Sequence, residues 1–400
     1  MFDGSRSRTR RALALALAMC LVAVAGSVAD VAPAVAVASP PNVVAKGTLL
    51  GPVLTADESP TRSIGRDDGY GVALPNGNDL WVFGDTPRFD YGGGGTWTMT
   101  GFIEGSTAAQ GPYTRGRRPK AMPEVVVGHR LARSNRATQL IPGSPNIFIP
   151  NGHGRRCTRA NGAEESGRWP TGAALMSNKT NVLITYAAVC VLNSNDYQTE
   201  GWGFTEYNWR TNKIVVPPID VFPSSRNGDT RPNVDLWGAP VVSGNNVTLF
   251  SAACCNLTDS NVYMTTIPAN VSALRNRSRY VPHAVLTMRL AVTGQLNVHV
   301  ARYATGVFRL IEPTDTNGHF SVYRASTPSG PWTQELSGVL PGCQARRAQT
   351  CRTLFGHPEL STPTRLVVSY YLPGYGPGVA GHPDPNRSLN HIVLASFPLT

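Results

Sequence analysis

Three observations predict an all-β fold, a single five-bladed β-propeller. Glycine (40 residues) and proline (32 residues) are spread along the chain as punctuation between short apolar runs. Sustained helical periodicity is nearly absent, and residues 271–277 are the one modest helical candidate. The roughly 360 residues behind the N-terminal segment exceed an ordinary sandwich, no linker or shift of composition divides them, and five blades of about 70 residues each accommodate them. Strand-like runs fall at 70–74, 80–83, 125–127, 139–141, 173–176, 182–189, 239–242, 247–252, 262–266, 284–288, 296–301, 307–311, 320–324, 366–371 and 391–396. Several hairpins share one plan, a small or polar start, an apolar strand, a Gly/Asn turn and a second apolar strand; 67–85, 169–190, 235–254 and 356–371 are examples.

Residues 1–38 read as a secretory signal peptide. Arg6, Arg8, Arg10 and Arg11 precede an apolar run at 12–26, and the small-residue patterns Ser27-Val28-Ala29 and Ala36-Val37-Ala38 place cleavage after Ala29 or Ala38. The run is shorter than the roughly 20 residues that a spanning helix needs. No later run is long and apolar enough to span either. The expected mature chain, 39–400, is a monomeric propeller without a membrane span, secreted or held in the cell envelope. Six cysteines then remain, an even number that suits disulfides in an oxidising compartment. Cys343 and Cys351 flank a short basic loop and are expected to pair. Cys157 with Cys190 would close a longer loop. The adjacent Cys254 and Cys255 either bridge each other or pair elsewhere.

No Cys-x-x-Cys or His-x-x-x-His spacing marks a zinc site. No cofactor is expected, although a calcium ion in a propeller channel would leave no mark on the sequence. The formal net charge is +11. Basic runs such as Arg115–Arg118 and Arg155-Arg156 lie in Gly/Pro-rich stretches without interleaved aromatics, which argues against nucleic acid and suits attraction to an anionic envelope. A Gly-x-Ser-x-Gly elbow, a P-loop, a dinucleotide fingerprint, a sialidase Asp-box and an EF-hand loop are all absent.

The most informative stretch is 66–86. Asn76-Gly77 is a strong hairpin turn, and it folds Asp67 and Asp68 back beside Asp85. A three-residue loop sets Asp67 directly opposite Asp85; a two-residue loop sets Asp68 there. Opposed Cβ atoms stand about 5 Å apart. Two carboxylates that close perturb each other's ionisation, so that one can serve as an acid beside a base, the arrangement that runs glycoside hydrolysis. Solvated aspartates that cap strand ends are the structural alternative.

The pattern of an aspartate, a hairpin and Phe83-Gly84-Asp85-Thr86 resembles the opening blade of five-bladed propeller glycosidases. It is most similar to the bacterial endo-D-arabinanases of glycoside hydrolase family 183. Members open with an aspartate, pass a Pro-x-Gly turn (here Pro75-Asn76-Gly77) and reach Phe-Gly-Asp-Thr eighteen positions later. Tyr323–Trp332, with its Ser-Gly-Pro-Trp end, resembles their outer-strand turn. Gly356–Leu360 followed by Leu366–Tyr370 resembles their closing blade. The middle of the chain, 157–190 above all, matches poorly, and Asp68 replaces a small or apolar residue. The resemblance implies a secreted hydrolase of an arabinofuranose polymer, such as the D-arabinan of a mycobacterial-type envelope, with Asp67 and Asp85 catalytic. Candidate substrate contacts are Asp68, Asp235, Trp237, His357 and Glu359. His357 and Glu359 are read as standing at a blade start facing the channel, with a structural inter-blade hydrogen bond as the alternative. Trp237 would stack on a sugar ring or be buried in the core. His153 reads as a loop residue. The rival function is a non-catalytic propeller that binds glycan or a partner protein.

Overall fold

The computed structural model describes residues 44–59, 61–92, 96–129, 136–143, 157–158, 165–193, 196–222, 237–252, 261–287, 298–315, 317–343, 351–372 and 391–399. These belong to one compact unit, Val37–Thr400. Residues 1–38, expected to be a signal peptide, lie outside the described residues, as do His153, Asp235, Cys254 and Cys255.

In chain order, β1 (Ala45–Lys46), β2 (Thr48–Pro52) and β3 (Arg62–Ile64) lead into the first blade, which is built on β4 (Asp68–Ala73) and β5 (Asn78–Phe83). The turn between them is the predicted one. Gly77 takes a φ of +80°, a left-handed conformation that glycine adopts without strain, and the hairpin pairs Ala73 with Asp79. After β5 the chain leaves the blade through a ribbon, β6 (Thr86–Gly92) and β7 (Thr96–Ile103), and returns as β8 (Thr107–Pro112) beside β5. Blade II is β9 (Glu165–Leu175), β10 (Asn181–Asn193), β11 (Asp196–Asn208) and β12 (Lys213–Phe222). Blade III is β13 (Gly238–Ser243), β14 (Asn246–Ala252), β15 (Asn261–Pro268) and β16 (His283–Thr287). Blade IV is β17 (His299–Ala304), β18 (Val307–Pro313), β19 (His319–Ala325) and β20 (Thr333–Val339). Blade V is β21 (Arg352–Gly356), β22 (Arg365–Leu372) and β23 (His391–Pro398).

The first strand of each blade neighbours the next around a closed ring, β4 to β9 to β13 to β17 to β21 and back to β4. The fold is therefore a five-bladed propeller. The N-terminal strands close the ring. β2 pairs antiparallel with β23 as the outermost strand of blade V, and β1 pairs parallel with β20 of blade IV. An apolar core fills each of the five gaps between blades. Val82, Ala108 and Ile184 lie between I and II; Leu183, Phe204 and Leu249 between II and III; Phe250, Val300 and Leu310 between III and IV. Ile311, Val322 and Val368 lie between IV and V, and Trp81, Phe83 and Leu394 between V and I. Burial on both faces explains why these strands read as near-continuous apolar runs rather than as alternating ones.

Both expected disulfides are present, Cys157–Cys190 and Cys343–Cys351. Two sequence expectations are corrected. Residues 125–127 and 139–141 are not strands. They run along blade I through single backbone bonds, Val125 N–H to the Ala108 carbonyl (2.9 Å) and Leu140 N–H to the Ser106 carbonyl (2.8 Å). The helical stretch is one turn, α1 (Val271–Leu274), capped by the Asn270 side chain on the Ala273 N–H and followed by a 3₁₀ turn at Arg277–Arg279.

Candidate active site

Asp67 lies immediately before β4, and Asp85 lies two residues beyond the end of β5 and directly before β6, so the hairpin brings both to one end of blade I. The Asp67 N–H donates to the Asp85 carbonyl (3.3 Å), and the Gly84 N–H donates to the Asp67 carbonyl (2.8 Å). Asp67 thus stands opposite the Gly84-Asp85 pair, while Asp68 is in register with Phe83. Of the two loop alternatives, Asp67 is the residue set against Asp85.

Each residue of Phe83-Gly84-Asp85-Thr86 has a local task. The Phe83 ring lies under the Arg66 guanidinium, 4.4 Å from its centroid. Arg66 is buried and held by both oxygens of buried Glu124 (2.7 and 2.8 Å). That ion pair fixes the chain directly before Asp67. A Cβ on Gly84 would lie 2.7 Å from Asp68 Oδ2, so glycine there leaves room for the Asp68 carboxyl. The Thr86 and Thr107 hydroxyls hydrogen-bond at 2.8 Å beneath the site.

Neighbouring blades supply the partners of the two aspartates. From blade V, Arg352 Nη2 donates to Asp67 Oδ2 (2.9 Å), with both side chains about one-third exposed. From blade II, Trp169 Nε1 donates to Asp85 Oδ1 (3.0 Å), and the Gly105 N–H donates to the same oxygen (2.7 Å). Gly105 has φ +85°, and a Cβ there would lie 2.9 Å from the Arg168 backbone nitrogen. Glycine is what lets this amide approach β9 and Asp85 together. Two N–H donors on one carboxylate oxygen fix its orientation. Arg352, Trp169 and Gly105 were not legible as site residues. Nothing local marks them, and they reach the aspartates only through blade-to-blade packing. The Cys343–Cys351 disulfide anchors the residue before Arg352.

Asp68 is 6% exposed and takes the left-handed φ of +59°, unusual for a residue other than glycine. Its N–H donates to Asp67 Oδ1 (3.0 Å). Burial, and then the Asp67 charge, push its carboxyl well above the usual carboxylate range, against the opposing pull of Arg352. The same site holds Arg352 more firmly protonated, through the Asp67 charge first. Tyr371, whose ring lies under the Arg352 guanidinium at 4.3 Å, is pushed up to about 12 by burial. The mouth of blade I therefore combines a buried carboxyl whose ionisation burial opposes with two half-exposed aspartates that have cationic or N–H partners.

His357 and Glu359 are elsewhere, which corrects the expectation of a blade start. β21 begins at Arg352 and ends at Gly356, so both residues follow the end of the strand. His357 is fully buried and stacks on Trp81 (4.3 Å); its Nδ1 meets Glu359 Oε1 at 2.7 Å. A Cβ on Gly71 would collide with both side chains. Burial pushes Glu359 up to about 7 and His357 down to about 3. Buried Asp79, beside the Asn76-Gly77 turn, is pushed well up by burial and then by the Glu359 charge. This cluster occupies the opposite end of the β4–β5 hairpin from Asp67 and Asp85. Trp237, also expected to contact substrate, is 1% exposed in the core between blades II and III. Its carbonyl accepts from the Thr171 hydroxyl (2.9 Å) and from Trp202 Nε1. It offers no face to a ligand. Among the described residues, no group of three or more His, Cys, Asp or Glu side chains is placed to hold a metal ion.

No family model matches the chain. No curated protein matches it either. Solved structures that it resembles include a Bacteroides ovatus protein named as a hydrolase with no reaction specified, at 13% identity and a TM-score of 0.51, with 87% of each chain covered. A GH43_1 enzyme from Xanthomonas citri aligns at 11% identity and a TM-score of 0.44, over 89% of this chain and 91% of that one. A family 117 glycoside hydrolase from Zobellia galactanivorans aligns at 9% identity and 0.43, over 89% and 90%. At 13% identity the likeness to the Bacteroides ovatus structure speaks for the fold alone.

Proposed function

We propose that this chain is a secreted glycoside hydrolase acting on an arabinofuranose-containing envelope polysaccharide, D-arabinan, with Asp67 and Asp85 as its catalytic carboxylates. One observation carries the reading: Asp67 and Asp85 meet at the mouth of blade I, tied to Arg352 of blade V and Trp169 of blade II. The two disulfides suit an exported protein. Among the described residues, no helix is long and apolar enough to cross a membrane. Asp85, oriented by two N–H donors on Oδ1, acts as base or nucleophile. Asp67 is the acid, beside the buried Asp68 carboxyl, which burial pushes well above the usual carboxylate range. The proton passes to the leaving-group oxygen as the glycosidic bond breaks, and water supplies the hydroxyl at the anomeric carbon.

The test is release of arabino-oligosaccharides from purified arabinogalactan and lipoarabinomannan. Asp67→Asn and Asp85→Asn each remove one carboxylate and keep its shape. Each is expected to lower cleavage by about 10³-fold or more, with the melting temperature nearly unchanged. Full activity in both variants would overturn the assignment. A wild type that binds arabinan and never cuts it would replace hydrolysis with glycan binding.

A further inference from the structure

β3, β6 and β7 form a separate three-stranded sheet, a flange in the order β3-β6-β7. All three strands stand on the candidate site. β3 runs on into Arg66-Asp67, β6 leaves directly from Asp85, and β7 ends two residues before Gly105, whose N–H holds Asp85. Pairing within the flange sets Phe102 opposite Pro87, Met99 opposite Phe89 and Trp97 opposite Tyr91, with a register shift between Arg88 and Phe89. Directly opposed residues, and alternate residues along a strand, share a face. Pro87, Phe89, Tyr91, Met99 and Phe102 therefore make one apolar face.

The other face is polar and is fastened to the body of the protein. Arg88 Nε donates to Asp57 Oδ2 (3.0 Å), Arg88 Nη2 donates to the Ala137 carbonyl, and Arg62 reaches Asp57 and Asp90. Along β7 the apolar side is the outer one; toward β3 it is covered, since Ser63, opposite Phe89, is fully buried. Met99 is 59% and Phe102 43% exposed. Six large hydrophobic residues are exposed among the described residues, and these two, three positions apart on one strand, belong to the sheet that grows out of the aspartates.

We propose that the outer face of the flange is a second carbohydrate-binding surface, which takes sugar residues of the arabinan chain beyond those held at Asp67 and Asp85. The inference rests on the hydrolase reading above. Its occupant follows from continuity: a polymer bound at the aspartates has this face as the extension of its path. Furanose rings present C–H surfaces that pack against aromatic and thioether side chains, while their hydroxyls stay in water.

The test measures binding of arabinogalactan to the full chain in an Asp85→Asn background, which keeps the polymer uncut. Met99→Ser combined with Phe102→Ser is expected to weaken binding about tenfold or more, equivalent to about 1.4 kcal/mol. Val215→Ser, which replaces an exposed apolar residue on β12, is the control and is expected to change nothing. Matching thermal melts for the variants exclude misfolding. Unchanged arabinan affinity in the double variant would overturn the inference while leaving hydrolysis standing. A wild-type dimer that the double variant splits, with affinity unchanged, would assign the face to a second copy of this chain instead. If the wild type neither cuts nor binds arabinan, the hydrolase reading fails and the inference with it.

Discussion

The two ends of the β4–β5 hairpin both carry buried acidic groups, and only one of them has the make-up of a site. At the Asn76-Gly77 end, Asp79, Glu359 and His357 are sealed among Trp81, Gly71 and their own contacts. At the other end, Asp67 and Asp85 are part-exposed, are gripped from two neighbouring blades, and stand beside a carboxyl held in a left-handed turn. Displaced ionisation is common to both ends and so does not separate them. What separates them is access, together with donors arriving from different blades. Perturbed carboxyls therefore point to function only where a ligand can reach them.

The comparison can be broken first at its sealed end. Burial raises Glu359 from 4.5 to about 7 in the folded chain. The folded state then holds a proton that the unfolded state releases. The stability from this proton is complete below pH 4.5 and is lost as pH rises through 7, a loss on the order of 3 kcal/mol. Glu359→Gln does not titrate and is spared the loss. Its melting temperature is expected to exceed that of the wild type at pH 8, with the advantage vanishing near pH 4.5. Melts at the two pH values check this, and a pH-independent difference would remove Glu359 as the source.

Smaller effects sharpen the open end. Trp169→Phe keeps the ring and deletes the Nε1 donor to Asp85. It is expected to lower kcat on arabinan by about tenfold, with KM and melting temperature little changed, as fits a positioning residue. A change confined to KM would make Trp169 a substrate contact instead. Smallest is Asp68→Asn. Removing the buried carboxyl takes a neighbouring acid away from Asp67, so the alkaline limb of the pH–rate profile is expected to move to lower pH by about one unit. Superimposable profiles would assign Asp68 to the fold alone.

Much of this was written locally in the chain. Gly/Pro punctuation between apolar runs specified the propeller, Asn76-Gly77 set Asp67 against the Asp85 strand end, and Cys343 and Cys351 stood one short loop apart. The misreadings share a physical origin. His357 and Glu359 were assigned to a blade start because 352–356 lacks a clear apolar pattern, so the inner strand went unseen. For Trp237 the sequence leaves sugar stacking and core burial both open, because an apolar residue at a blade start reads the same whether it faces the axis or an inter-blade core. The flange was missed because 86–103 mixes threonine, proline and a run of glycine at 92–95, which hides its alternation. Arg352 and Trp169 lie 285 and 84 residues from their aspartates, beyond the reach of any local pattern.

The most direct test of the central claim sets one substitution at each end of the hairpin against the other. Arabinan cleavage and melting temperature would be measured for Asp85→Asn and for Glu359→Gln at pH 7 to 8. The expected result is a double dissociation: Asp85→Asn loses cleavage and keeps its melting temperature, whereas Glu359→Gln keeps cleavage and melts higher. Cleavage lost in Glu359→Gln with the fold intact, or retained in Asp85→Asn, would place the chemistry at the sealed end and contradict the account.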